Sequence, residues 1–393
     1  MRYFGTVVRG VRMPVIKEGD DIVSIVSDTL MKAIDESGIE VRDKDVIGIT
    51  ESVVARAQGN YATVDQFSQD VRNKMGSGTV GLVFPILSRN RFLEMLKAIA
   101  KGVDELIVQL SYPSDEVGNP IISYDDLDNN HINPYDRVFT EKEFRDLFGK
   151  DLLHPFTKTD YVRLYSEAAP NIKIIFANQP TAILKYTDKV ICGDIHTRFR
   201  TKRILKEKGA KVVLGLDDFL NESVDGSGYN QKYGVLGSNY ASNGKIKLFP
   251  RDSQETVEAI QKRMFDKYGK TVEVFIYGDG AFKDPFGKIW ELADPVVSPF
   301  FTEGLRGTPN ELKLKYLADN EFDSLKGDSL KKAIVEKIKT KDKNLVGQMA
   351  SEGTTPRQIT DLLGSLCDLT SGSGDKGTPI ILVQGYFDNY SDN

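Results

Sequence analysis

Apolar positions recur along this chain in two different periods. Runs of strand length, rich in β-branched residues and bounded by turn-forming ones, occur at VIGIT from Val46, GLVFPI from Gly81, ELIVQL from Glu105, NIKIIFA from Asn171 and KVICGD from Lys189. KVVLGL from Lys211, KIKLFP from Lys245, TVEVFIY from Thr271 and IILVQGY from Ile380 read the same way, and residues 3–8 predict a short first strand. Helical spacing lies between them. Ile22, Ile25, Val26, Leu30, Ala33 and Ile34 share one face of a helix that Asp20 and Asp21 can cap. SRNRFLEMLKAIAKG from Ser88 and TRFRTKRILKEKGA from Thr197 separate strands in the middle of the chain. The pattern from Val80 to Leu216 is therefore a repeated β/α alternation.

Local signals refine this outline. Thr140 with Glu143 predicts a capping box for EKEFRDLF, and Asp252 with Glu255 one for a helix over Ser253–Tyr268. Thr308-Pro309-Asn310-Glu311 and Thr355-Pro356 announce two further helices, and the lysine-rich segment Leu330–Lys343 an amphipathic, solvated one. DDLDNNHINPYD from Asp125 reads as a long surface loop. Together these elements predict an α/β or α+β fold, with residues 80–220 as a central β/α domain inserted between residues 1–79 and 221–393.

Composition narrows the function classes. With 393 residues, 40% of them hydrophobic and 28% charged, the chain can bury a large core and form more than one domain. A formal charge of -5 leaves no overall basic footprint, so no nucleic-acid partner is expected. Cys192 and Cys367 form no CxxC pair, and with only His131, His154 and His196 a metal centre would rely on oxygen ligands. Neither a signal peptide nor an apolar run of membrane-spanning length is evident, which predicts a cytoplasmic protein with no membrane partner. There is no HExxH, no P-loop and no strand-to-helix GxGxxG.

The candidate chemistry lies in two loops. YGDGAFKDPFG from Tyr277 follows an apolar strand and delivers Asp279 and Asp284 among glycines. These residues suit either an ordinary turn or a Mg²⁺ that keeps waters and phosphate oxygens beside one or two carboxylates. TSGSGDKGTP from Thr370 is a glycine-rich loop that precedes a strand, and its backbone N–H groups could approach phosphate or simply form a turn.

Five stretches in order carry a resemblance. MPVIKEGDDI from Met13 is similar to an L-P-x-I-x-x-G-D-D-L motif, and TESVVARAQG from Thr50 to T-S-K-V-V-S-K-A-E-G. GVLGSNYASNGKIKLFPRD from Gly234 is similar to A-G-I-D-x-S-N followed by a strand and L-P-x-D. YGDGAFKDPFGKIW resembles S-D-T-x-G-R-P-W/F, and TSGSGDKGTPIILVQG resembles a final glycine- and acid-containing loop before P-V-x-x-V-R-G. These are the motifs of the γ-glutamyl ligase family of the deazaflavin coenzyme F-420 pathway. The resemblance covers the two ends of the chain and leaves the middle segment without a counterpart.

The resemblance implies a mixed-sheet ligase-like domain assembled from both ends of the chain, and a homodimer. It implies a GTP-dependent amide ligase, with ATP as the other nucleotide, that uses Mg²⁺ or Mn²⁺. A small-molecule carboxylate acceptor is activated as an acyl phosphate and attacked by the amine of L-glutamate. Nucleotide contacts carry over to Met13, Pro14, Val15, Ile16, Glu51, Ser52, Arg56, Asn239 and Gly280, and to the loop Ser371–Thr378 with Ser373 and Gly374. Metal contacts carry over to Asp279 and Asp375, with Asp284 as a further acid.

Three departures bear on the activity. Leu236 stands where the family has an acid, with Asp225 the candidate substitute; Ser52 and Arg56 stand for two lysines; and Gly280 replaces a threonine. Two other readings are a catalytically silent nucleotide- or metabolite-binding protein, and a phosphotransferase or phosphohydrolase using the acidic loop.

Overall fold

The computed structural model describes residues 4–89, 91–241, 244–278, 298–351, 358–372 and 374–392. Strands from the two ends of the chain build a five-stranded sheet in the order β1 (Val7–Val11), β14 (Ile380–Gln384), β2 (Val46–Thr50), β12 (Glu273–Tyr277), β13 (Phe300–Phe301). β14 runs antiparallel to both β1 and β2, whereas β12 runs parallel to β2. The three central strands read VIGIT, EVFIY and IILVQ and are buried almost throughout, as expected where both faces are covered. Helices α1 (Ile22–Ser37) and α9 (Gln254–Tyr268) cover one face through Val26, Leu30, Ile34, Val257, Ile260 and Met264. Helix α12 (Ile359–Thr370) covers the other through Leu363 and Cys367. Gly48, central in β2, permits that contact: a Cβ there would stand 2.7 Å from the Cys367 Sγ.

A six-stranded sheet has the order β6 (Phe139–Thr140), β7 (Ile172–Phe176), β5 (Glu105–Leu110), β4 (Thr79–Val83), β8 (Lys189–Cys192), β9 (Val212–Gly215). All of its pairings are parallel except that of β6 with β7. Helices α3 (Val64–Met75) and α4 (Leu93–Gly102) join the core on one face, which runs from Ala62 through Phe67, Leu96 and Leu106 to Phe219, Leu236 and Leu248. On the other face, Leu205 of α8 (Arg198–Glu207) packs with Ile183, Val190 and Val213. A three-stranded antiparallel sheet, β10 (Asn239–Ala241), β11 (Lys245–Lys247) and β3 (Tyr61–Thr63), completes the strands among the described residues.

Mixed α/β content agrees with the fold class expected from the two periods. Asp21 caps α1, accepting from the Ser24 N–H at 3.1 Å, and Thr140 with Glu143 forms both halves of a capping box on α6 (Glu141–Phe148). Other expectations shift. The first strand begins at Val7, where its pairing with Gln384 begins. The segment expected as one long loop starts with a short helix, α5 (Tyr124–Asn129), because Ser123 and Asp126 form a capping box. Asp252 does not cap α9: it has a φ of 47°, and Ser253 is the N-cap without a side-chain bond. The Thr308–Glu311 signal precedes only a helical turn, α10 (Leu314–Tyr316), which runs into a π-turn. The lysine-rich helix is α11 (Gly327–Lys339), and Thr355-Pro356 lies outside the described residues. Among the described residues, no helix is long and apolar enough to cross a membrane.

Candidate functional site

The register of the five-stranded sheet brings distant segments to one end. Ile49 lies opposite Ile380, Val11 opposite Ile380 on the other side, and Tyr277 opposite Thr50. The loop leaving β1, the helix leaving β2, the chain leaving β12 and the glycine-rich loop entering β14 therefore share that end. Direct bonds join three of them: the Met13 N–H donates to the Gly377 carbonyl at 3.2 Å, and the Thr50 N–H to the Pro379 carbonyl at 3.1 Å. The glycine-rich loop is closed on itself, the Gly372 N–H donating to the Thr378 Oγ1 at 3.0 Å. Thr378 in turn packs against Gly10, where a Cβ would stand only 3.0 Å from the Thr378 Cβ.

Within the first loop, Ile16 is an anchor, 2% exposed in the core beneath α1, while Pro14 is exposed and Val15 is 79% exposed. Helix α2 (Glu51–Ala57) starts directly at the end of β2, with Glu51 buried in its first turn. Ser52 and Arg56 stand one turn apart on the outward side of α2, and Arg56 is exposed with no ion pair among the described residues. Lys247 on β11 donates to the Glu51 Oε1 at 2.9 Å and to the Ser52 Oγ at 2.8 Å. Its side chain is 11% exposed and that of Glu51 3%, which makes this a buried ion pair. Asn239 lies directly opposite Lys247 in the β10–β11 register, so it joins the same corner.

Lys247 is the functional candidate that sequence reasoning missed. The K-I-K-L alternation puts Lys245 and Lys247 on the face opposite Ile246. Nothing in the spacing says that one of those ammonium groups meets a carboxylate 196 residues away.

A cleft of about 830 Å³ runs from this end along β1, the edge strand of this sheet among the described residues. It is lined by Arg9, Arg12, Lys32 and Lys376, with Glu36 the single carboxylate among the described residues, and by Pro14 and Thr378 from the two loops. Its size and charge suit an anionic small molecule.

The acids divide differently. Asp375 is exposed on the glycine-rich loop beside Gly374. Leu236 is packed in the core of the six-stranded sheet, at 7% exposure. Asp225 is exposed near the start of α3, its carbonyl accepting from the Gln66 Nε2 at 2.9 Å. Asp279, Gly280, Asp284 and Ser373 lie outside the described residues; Gly278, immediately beyond β12, is the last described residue before the first three. No group of three or more His, Cys, Asp or Glu that could hold a metal occurs among the described residues.

Fold and corner together define an α/β protein with a basic cleft at the loop end of a mixed sheet. The family model for F420-0:Gamma-glutamyl ligase matches residues 10–385, and the chain belongs to that family of ligases. The match spans the central segment as well as the five motif-bearing stretches. No curated protein matches the chain.

Proposed function

We propose that the protein joins L-glutamate to a small-molecule carboxylate acceptor in a nucleotide-driven amide ligation through an acyl phosphate. It uses GTP, or else ATP, with Mg²⁺ or Mn²⁺, and works as a cytoplasmic homodimer. The observation carrying this reading is the convergence of the loop after β1, the start of α2 and the loop before β14 at the end of the sheet from which the chain also leaves toward Asp279. Family membership supplies the reaction class.

At this corner the described residues bring together no group of three or more metal-ligating side chains. The carboxylates proposed to hold the ion are Asp279 and Asp284 in the segment after β12, with Asp375 on the glycine-rich loop. When bound, the ion would neutralise charge on the nucleotide phosphates and on the oxygens between which phosphate moves. The chain's own groups supply the rest. Arg56 and the loop N–H groups bind phosphate, Lys247 holds Glu51 and Ser52 in place, and the cationic cleft wall orients the acceptor.

A second reading, a silent nucleotide- or metabolite-binding protein, is favoured by one observation: Leu236, at the position of a family acid, is a core residue. The test is to incubate purified protein with GTP or ATP, Mn²⁺ or Mg²⁺, glutamate and a panel of carboxylates, following amide product by mass spectrometry and phosphate by colour assay. Amide formation with matching phosphate release is the expected result. Nucleotide binding with neither product across the panel would select the silent protein, and phosphate release without glutamate incorporation a phosphotransferase or phosphohydrolase.

A further inference from the structure

The six-stranded sheet has a reversal point of its own. From β4 the chain builds outward through β5 and β7, then crosses back to place β8 on the other side of β4, followed by β9. Where strand order reverses in an open parallel sheet, the loops after the two flanking strands diverge, and ligands bind in the crevice at their carboxyl ends. Here those strands are β4 and β8, tied together where the Gly193 N–H donates to the Val83 carbonyl at 2.7 Å. Phe84, the first residue beyond β4, has a φ of 56°, a left-handed conformation that a bulky residue adopts only where its surroundings impose it.

Two carboxylates are fixed to the turn that follows β8. Asp194 is 0% exposed, and its Oδ2 accepts from the hydroxyls of Thr197 and Thr201, each at 2.6 Å. Its Oδ1 is buried and has no hydrogen-bond partner among the described residues. Glu116, arriving from the loop after β5, accepts from the backbone N–H groups of Ile195 and His196, the two residues next to Asp194. Neither carboxylate forms an ion pair among the described residues. Two nearby cations are committed elsewhere: Arg198 to Asp217 at 3.0 Å, and Lys202 to Asp217 and Asp218. Burial raises the pKa of both acids, and for Glu116 the charge of Asp194 adds to the effect.

A buried carboxylate oxygen without a donor is costly, and the turn that carries it also holds a second carboxylate, on which the Asp194 charge acts. A hard divalent cation satisfies such a pair, because Mg²⁺ and Mn²⁺ accept one or two carboxylates and complete their shell with water. Glu116 is only partly buried and His196 is exposed, so solvent reaches the Glu116 side of the turn. We propose that the reversal point of the six-stranded sheet is a divalent-cation site, with the Asp194 Oδ1 and the Glu116 carboxylate as its protein ligands. Thr197 and Thr201 orient Asp194, and the N–H groups of Ile195 and His196 orient Glu116. The site is on a different sheet from β12, which leads toward Asp279, and does not depend on the ligase reading.

The test uses the full-length protein and Mn²⁺ alone, without nucleotide, followed by electron paramagnetic resonance and by thermal melting. The expected result is a bound Mn²⁺ whose affinity falls at least tenfold in Asp194→Asn and in Glu116→Gln but is retained in Asp279→Asn. Mn²⁺ should also raise the melting temperature of the wild type and not that of Asp194→Asn, since an ion stabilises only the state that binds it. Asp194→Asn is isosteric and removes a buried charge, and circular dichroism without metal checks that it folds. Absence of Mn²⁺ binding to the wild type would overturn the proposal. So would binding that both variants retain at wild-type strength, or binding lost only in Asp279→Asn.

Discussion

Lys247 and Glu51 form a buried pair that joins a β-strand to the first turn of a helix at the candidate site. Removing one partner of such a pair leaves the other charge buried, at a cost of about 3–5 kcal/mol, whereas replacing both by neutral groups is often close to neutral. Lys247→Met should therefore lower unfolding free energy in urea by about 3 kcal/mol, and Lys247→Met with Glu51→Gln should recover most of it. A loss in the double variant equal to the sum of the Lys247→Met and Glu51→Gln losses would show that the pair is not coupled. A second residue-scale test concerns Asp160, the N-cap of α7 (Tyr161–Ser166). Burial raises its pKa, but the bidentate Arg145 guanidinium, at 2.8 and 3.3 Å, and the N–H groups of Arg163 and Leu152 outweigh that and leave it lowered. A lowered carboxylate pKa contributes stability that is present above the ordinary value of about 4 and is lost as pH falls through the lower folded value. The stability gap between wild type and Arg145→Gln should accordingly narrow as pH drops below about 4 in acid-titrated urea melts. A gap that stays constant with pH would contradict this account.

Capping is where the element scale was most legible. The Thr140 hydroxyl accepts from the Glu143 N–H at 3.3 Å while the Glu143 Oε2 accepts from the Thr140 N–H at 2.8 Å, as the T-x-x-E spacing predicts. Thr140→Ala should cost about 1 kcal/mol, read as a shift in urea midpoint with an unchanged slope. The same spacing misled at Asp252 and Glu255. Ser253 there is drawn toward Gln58, whose Nε2 bonds both the Ser253 Oγ and the Arg251 carbonyl, so the local cap yields to a contact from almost 200 residues away. Strands with dense apolar runs, such as ELIVQL at β5, were readable to the residue. β6, β10 and β13 are two or three residues long and owe their existence to a neighbouring strand, so periodicity could not reveal them.

At the scale of the whole molecule, the two large sheets differ in how they use the chain. The six-stranded sheet draws its strands from residues 79–215, but the core on one of its faces runs from Ala62 to Leu248. A fragment spanning residues 60–250 should keep that core closed, whereas one spanning residues 80–220 would expose the apolar surface that α3 covers. The longer fragment should melt cooperatively and the shorter one bind a hydrophobic dye; cooperative melting of the shorter fragment would show that α3 is dispensable. The five-stranded sheet cannot be excised in this way, because β14 lies between β1 and β2.

The amino-acid sequence by itself determined the kinds of element and the family. Apolar periodicity and side-chain caps act over a few residues, and the five ordered motifs are local strings. It also carried Met13 to Ile16, Glu51, Ser52, Arg56 and Asn239 as candidates. Only the tertiary structure decided that the first loop, the start of α2 and the last loop meet at one sheet end, because that depends on β14 pairing antiparallel between β1 and β2 and on β12 lying parallel to β2. It alone brought Lys247 to Glu51, and Glu116 to the turn after Asp194. Contacts between residues far apart in the chain depend on strand order and register, and these are set by the burial of whole faces.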